Sequence, residues 1–400
     1  MAGAAARGTP ARSRAAPSRD GLPLLLVAIA LTAVTLGGFI VVAPNRLVSG
    51  TPLNLWNAAG APAMAALLAP LALVAGLALL RDFPLRRMLT GLAAGGLLIV
   101  ALALAGHAAS EHAAAAGRLT RVSLGAGFWT LLAVGFLILA DAVGRERSLI
   151  GKTIPLMATG LGLAGLLASG ALTPLSLARE YEVRQQAYLD ELVRHLVLTG
   201  AGLIIALAVG GALGLMAYRR PRRAGSVFAV LDIVQTIPSL ALFAILIGPL
   251  TALTAFWPTL REIGISGIGP FPAILALGLY GLLPVARGVH AGLSAVPAAV
   301  VEAARGMGLT ESQIVRHTLV PLALPTLFQT LRVTLVQLIG LAVLAALIGA
   351  GGLGTFIFQG LGQTAADLVL LGALSAIALA LLADIALRAA SLLLFRRPAR

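Results

Sequence analysis

Apolar stretches of about twenty residues recur along this chain, ten in all: 22–42, 62–80, 88–106, 124–142, 153–172, 196–217, 227–247, 271–290, 326–348 and 366–388. A hydrocarbon layer about 30 Å thick is crossed by roughly 20 helical residues rising about 1.5 Å each. The rest of the composition agrees. Of the 400 residues, 59% are hydrophobic and 11% charged, and the mean hydropathy is +0.98. No soluble core needs that much apolar surface. In a bilayer each spanning segment must satisfy its own backbone hydrogen bonds, which leaves helices as the fitting solution. The expected fold class is therefore all-α: a polytopic helical membrane protein with about ten transmembrane helices. The 88–106 stretch is rich in Ala and Gly, and 271–290 is interrupted by Pro284, so these two are the least regular.

The formal charge of +14 could point to nucleic acid, but the basic residues sit in short clusters between apolar stretches rather than on one face or tail. That distribution is the signature of membrane orientation. With the N-terminus in the cytoplasm, the inside segments hold 21 Arg and Lys and the outside segments 7. Both termini are thus expected inside. Lys152 is the only lysine. Residues 1–21 are rich in Arg, Ala, Ser and Pro and are expected to be disordered. The apolar stretch after them lacks a convincing small-residue cleavage site, so it reads as a retained span.

The chain divides near residue 173. Residues 22–172 hold five spans of plain Leu/Ala/Gly character, an accessory bundle. Residues 173–195 (TPLSLAREYEVRQQAYLDELVRH) read as an extracytoplasmic amphipathic connection. Residues 196–390 hold the five spans that carry motifs, and 391–400 form a cytoplasmic tail.

Several chemical classes fall away. The chain has no cysteine, which excludes disulfides and thiolate metal sites, and its five histidines show no HExxH spacing. Gly151-Lys152-Thr153 resembles the end of a phosphate-binding loop, but Glu146 stands where that loop needs its first glycine. GLGLAG at 160–165 and GAGGLG at 349–354 match GxGxxG without a preceding strand. Close packing of small residues explains them better, and the second also suits a tight outer turn. Asp232 and Asp384 lie near cytoplasmic span ends, where pairing with arginine is cheap, and no catalytic constellation emerges.

Between two spans lies a polar island, residues 297–325. Pro297 suits a first helical turn, and AAVVEAARGM at 298–307 reads as about three turns of helix. Gly308 can take the left-handed conformation that ends a helix. Thr310 followed by Gln313 has capping-box spacing for a second helix. Pro321 and Pro325 mark the return to the membrane. Such a helix–turn–helix suits force transmission: Ala303 and Ala304 permit close approach by a partner, and Glu302 offers a charge. From composition alone an ordinary connecting loop explains it as well.

Glu302-Ala303-Ala304, then Gly308, then Pro321 resemble the cytoplasmic loop of ATP-binding-cassette import permeases. Val320 stands in place of the usual Leu and Thr318 in place of an Ile, small departures that leave the loop recognisable. HLVLTGAGLIIALAVGGALGLMAYR (195–219), DIVQTIPSLALF (232–243) and GAGGLGTFIFQG (349–360) resemble the permeases for glycine betaine, choline, carnitine and related osmoprotectants. The likeness covers roughly 193–390, and the spans before it match a longer variant of the family.

The resemblance implies a type I importer permease core in the C-terminal half, with Glu302, Ala303, Ala304, Arg305, Gly308 and Pro321 as ATPase-coupling residues. It implies a cytoplasmic ATPase dimer, an extracytoplasmic substrate-binding protein and a second permease subunit as partners, in a bacterial inner membrane. No cofactor is expected on this chain, since ATP and Mg would sit on the ATPase. Gln235, Thr236, Pro238 and Gln337 are candidate pathway residues: few polar groups fall within the core spans, and Pro238 frees a backbone carbonyl. An interhelical hydrogen bond explains each of them equally well. Another amino-acid-like solute, or an ion-coupled secondary transporter, are the alternative functions.

Overall fold

A computed structural model describes residues 21–45, 48–117 and 119–395. The chain forms two compact units, 1–179 and 180–400.

In the first unit, α1 (Gly21–Leu36) leads into β1 (Ile40–Ala43) and β2 (Thr51–Leu53). Then follow α2 (Leu55–Leu79), α3 (Arg86–Ala116), β3 (Arg121–Leu124), α4 (Ala126–Arg145) and α5 (Leu149–Ala168), and the division falls within the short α6 (Ser176–Val183). The helices carry the fold as the composition requires. The sheet is an addition that hydropathy alone concealed. Its antiparallel order is β2-β1-β3, with Ile40 opposite both Leu53 and Leu124. It explains why the first apolar stretch, 22–42, is not one span. Gly37-Gly38 end α1, and the β-branched run Ile40-Val41-Val42 pairs as a strand instead. Gly37 and Gly127 meet backbone to backbone: a Cβ on Gly37 would stand 2.8 Å from the Gly127 Cα. Phe39 and Phe128 are fully buried and meet edge to face at 5.7 Å, tying the sheet to α4. Helix α3 is central, packed by α2, α4 and α5.

In the second unit, α7 (Gln185–Ile205), a π-helical turn (Ala206–Gly210) and α8 (Gly211–Arg219) form one continuous rod. It is followed by α9 (Pro221–Thr236), α10 (Ser239–Phe256), a 3-10 turn (Pro258–Arg261), α11 (Pro270–Ser294) and α12 (Ala298–Gly306). Helix α13 (Glu311–Ile314), a second π turn (Val315–Leu319), α14 (Val320–Ala342) and a 3-10 turn (Val343–Ile348) make a second rod. Helices α15 (Gly354–Gly362) and α16 (Ala366–Leu394) close the unit. Helix α11 is the hub. Glycines let α7 and α8 lie almost in contact with it: a Cβ on Gly202 would stand 2.7 Å from the Leu277 Cβ, and one on Gly214 2.5 Å from the Ala286 carbonyl. Such close approach supplies dispersion contact where lipid removes the hydrophobic drive between helices.

Among the described residues, nine helices are long and apolar enough to cross a membrane, with α1 a shorter apolar helix beside them. Three expected boundaries need correction. The span at 227–247 does not exist as one helix: α9 ends at Thr236, and the membrane-length helix α10 begins at Ser239, because Pro238 cannot donate into a continuous helix. The 173–195 connection is not one surface helix, since only α6 belongs to it and α7 already starts at Gln185. The expected 391–400 tail begins later, as α16 continues to Leu394. The rest of that tail, 396–400, and the N-terminal segment up to residue 20 lie outside the described residues.

Candidate coupling and pathway sites

Pro297 stands as the N-cap of α12, with φ −57° and ψ 136°. Ala298–Gly306 then makes the short helix, and Gly308 turns the chain with φ +83°. Two hydrogen bonds close that turn, Gly308 N–H to the Arg305 carbonyl at 3.0 Å and Leu309 N–H to the Ala304 carbonyl at 3.3 Å. This is the Schellman arrangement, which requires a left-handed residue at its pivot. Thr310 and Gln313 form the full capping box that opens α13: the Gln313 side chain accepts from the Thr310 N–H at 2.8 Å, and Thr310 Oγ1 accepts from the Gln313 N–H at 3.4 Å.

The two halves are held together twice. Outside, Arg305 donates to Glu302 and to Glu311, each at 2.8 Å, so one guanidinium staples α12 to α13. Hydrogen bonding to Glu311 is the main reason its pKa is raised above the ordinary arginine value. Inside, Ala304, Ile314 and Leu319 form a small core with Leu293 of α11 and Ala323 of α14. Leu215 and Tyr218 of α8 pack against it. Helix α12 is therefore welded to the ends of α8, α11 and α14.

The expected coupling residues divide across this helix. Glu302, Ala303, Arg305 and Gly308 are exposed, whereas Ala304 is buried. Ala304 thus serves the inner core, and the idea that it offers close approach to a partner is corrected: its neighbours are Ile314 and Leu319. Pro321 does not mark a break before the membrane either. It lies in a helix that runs unbroken from Glu311 through the π turn. There Val320 N–H bonds to the Val315 carbonyl five residues back, and this wider register carries the helix past a residue without an N–H.

The α9–α10 break is a second knot. Gln235 Nε2 donates to the Tyr280 carbonyl at 2.8 Å, and the Tyr280 hydroxyl donates to the Ile237 carbonyl. Thr236 is spent on its own helix, donating to Ile233 at 2.7 Å, and Pro238 caps α10. Gln337 is half-buried on α14, and among the described residues no hydrogen bond joins it to Gln235 or Thr236. The structure therefore brings Gln235 and Pro238 together around Tyr280, without a hydrogen bond from Gln337 to Gln235 or Thr236 among the described residues.

Three tertiary features had weaker sequence signals. Arg287 of α11 donates to both carboxylate oxygens of Asp232 at 2.7 and 2.9 Å, tying α9 to the hub. Asp384 of α16 takes Arg332 of α14 at 3.1 Å and Arg388 at 2.7 Å. At the opposite end of the unit, the 349–354 glycines form a tight loop with positive φ at Gly349, Gly351 and Gly352. The Glu191 carboxylate accepts from the Gly352 N–H, and Nδ1 of buried His195 accepts from the Leu353 N–H at 3.3 Å. The His195 Nε2 then donates to the Ile339 carbonyl at 3.1 Å, joining α7, α14 and the loop. A lone histidine in an apolar helix and a run of glycines were the available hints.

Residues 18–178 match the family model described as the N-terminal domain of the ABC transporter permease YehY, and residues 202–393 match the binding-protein-dependent transport system inner membrane component. The chain is 37% identical over 194 residues to the carnitine transport permease protein OpuCB of Listeria monocytogenes, covering 48% of this chain and 82% of that protein. It is 36% identical to the osmoprotectant import permease protein OsmW of Salmonella typhimurium, covering 51% of this chain and 90% of that one. Among solved structures, the inward-facing methionine ABC transporter MetNI matches with 27% identity and a TM-score of 0.47, over 54% of this chain and 99% of that chain.

Proposed function

The chain belongs to the osmoprotectant ABC importer permeases, and on that premise we propose that it conducts glycine betaine or a related quaternary-amine solute into the cell. It is a multi-pass membrane permease component of an ABC importer, a class that works with an ATPase and a second permease. In this reading the ATPase is a separate cytoplasmic dimer that carries ATP and Mg. An extracytoplasmic binding protein delivers the solute, and both termini face the cytoplasm of a bacterial inner membrane.

The observation that carries the reading is the welded loop. Glu302, Ala303 and Arg305 present an exposed, charged helix face of the kind that fits a partner's cleft. The opposite face, through Ala304, is locked to α8, α11 and α14. Movement of α12 by the ATPase therefore passes to three rods at once rather than being lost in a flexible loop. The Asp232–Arg287 pair carries it on to α9, and the α9–α10 break at Pro238 is where the core can bend. Alternating access by rigid-body motion follows. A neutral lining around Gln235 and Thr236 suits a zwitterion, which must pass without being trapped.

The relatives named for carnitine, for choline, and for glycine betaine, carnitine and choline together support this substrate class. The test is uptake of radiolabelled glycine betaine into vesicles containing this chain with the ATPase and binding protein encoded beside it. ATP-dependent uptake that falls about five- to thirtyfold on Gly308→Leu supports both coupling and cargo. Absence of betaine uptake, with ATPase stimulation by the binding protein and another amino-acid-like solute, rejects the cargo and keeps the importer.

A further inference from the structure

Two turns of the first unit, one joining α2 to α3 and the other α4 to α5, flank an open cleft of about 270 Å³. Asp82, Phe83, Pro84, Arg87, Glu146 and Arg147 line it. The transport reading uses none of them. Glu146 is turned toward the backbone, accepting from the N–H groups of Arg147 and Ser148 at 2.8 and 2.9 Å. Those bonds, Ser148's first, keep its carboxyl below the usual carboxylate range, against a smaller opposing effect of desolvation. Arg87 forms part of the wall, donating to the Arg145 carbonyl and lying 3.7 Å from Asp82. Arg147 is different: it is exposed, and its guanidinium makes no hydrogen bond or ion pair with a described residue.

The surroundings are basic. Arg81, Arg86, Arg87, Arg145, Arg147 and Lys152 stand against Asp82, Asp141 and Glu146, a surplus of three positive charges. Beside the charges, Leu80, Leu85, Leu149 and Ile150 are exposed at the ends of membrane-length helices. A bare phosphate ion would meet two carboxylates and a phenyl ring here, a poor site for a dianion. A phosphodiester carries a single charge and brings its own apolar chains.

We propose that this cleft is a phospholipid-headgroup site, in which Arg147 and Arg87 take the phosphate of an acidic phospholipid and Leu85, Leu149 and Ile150 lie along its acyl chains. The positive surplus selects an acidic over a zwitterionic lipid. The hydroxyls of a glycerol headgroup suit Asp82, which is exposed and only loosely paired, 3.7 and 3.9 Å from its arginines. The first unit then anchors the permease to lipids of one leaflet, at a site separate from the coupling loop.

Native mass spectrometry of the full chain in detergent, titrated with phosphatidylglycerol or phosphatidylcholine, tests this. The expected result is one preferentially retained phosphatidylglycerol, bound about tenfold more tightly than phosphatidylcholine. Arg147→Glu is expected to abolish the preference and Arg147→Gln to reduce it about fivefold. The double variant Leu149→Asn, Ile150→Asn should weaken retention as well, because a lipid uses the apolar track and an ion does not. Since the Arg147 guanidinium makes no bond with a described residue, an unchanged unfolding temperature for Arg147→Gln certifies the fold. The double variant Arg222→Gln, Arg223→Gln, in the first turn of α9, removes two basic residues elsewhere and should leave binding unchanged. A preference that survives Arg147→Glu, or falls equally in the α9 variant, overturns the site. Displacement by millimolar inorganic phosphate overturns the lipid assignment in favour of a soluble anion.

Discussion

At Gly308 nothing lies within 4 Å of where a Cβ would be, so space is not what demands glycine there; the backbone angle, φ +83°, is. A leucine at this position costs ~1–2 kcal/mol in the turn, enough to shift the population of the native turn roughly five- to thirtyfold. Gly308→Leu should insert into the membrane normally, and uptake should fall by about that factor. Normal uptake would remove the turn from the coupling path. The Arg305 staple makes a separate prediction. It is solvent-exposed, so Glu311→Gln should leave thermal unfolding unchanged. If α12 transmits force through the staple, ATPase stimulation by loaded binding protein should weaken, and the difference from the unsubstituted chain should narrow at high salt, which screens the pair. Gly308, Thr310 and Gln313 were legible in the sequence because their partners lie three to five residues away. The division of labour between Ala303 and Ala304 was not, because two adjacent alanines differ only in which face meets α11 and α14.

Elements show the same contrast over longer distances. Most membrane-length helices fall where hydropathy places them, since length and apolarity are local properties. The breaks do not. Pro238 stops a helix, whereas Pro321 is carried inside one, and the difference lies in the π turn before Pro321 and in the Tyr280 hydrogen bond at the α9–α10 break. The α14–α16 ion pair gives an element-scale prediction. Asp384→Asn would strand Arg332, about a fifth exposed, within a membrane-length helix. Loss of roughly 2–3 kcal/mol is expected, read as a lower unfolding temperature in detergent, with partial recovery in the double variant Arg332→Leu, Asp384→Asn. At the glycine loop, a Cβ on Gly354 would stand 1.9 Å from the Val343 carbonyl, whereas one on Gly362 meets nothing within 4 Å. Gly354→Ala should therefore abolish accumulation of folded protein, and Gly362→Ala should change stability by no more than about 1 kcal/mol. Equal behaviour of the two would contradict the packing described at α15.

The whole molecule is two units, with the division at Arg179. The coupling loop, the Pro238 knot and the His195 clamp all fall in the second. Expression of residues 180–400 behind a leader that preserves orientation should yield a membrane-inserted core that still binds the ATPase. Failure to assemble would give the first unit a structural role in the complex. The sequence alone determined that this chain lives in a membrane, roughly how its spans are spaced, and which polar island resembles a coupling loop. Each of these rests on composition, on hydrophobic run length or on residues a few positions apart. Tertiary structure alone decided the sheet, because its register pairs Ile40 with Leu124 across a whole helical hairpin. It alone decided that Tyr280 caps the broken span and that Ala304 faces inward. Contacts between distant residues depend on how helices pack in three dimensions, and no local pattern encodes that packing.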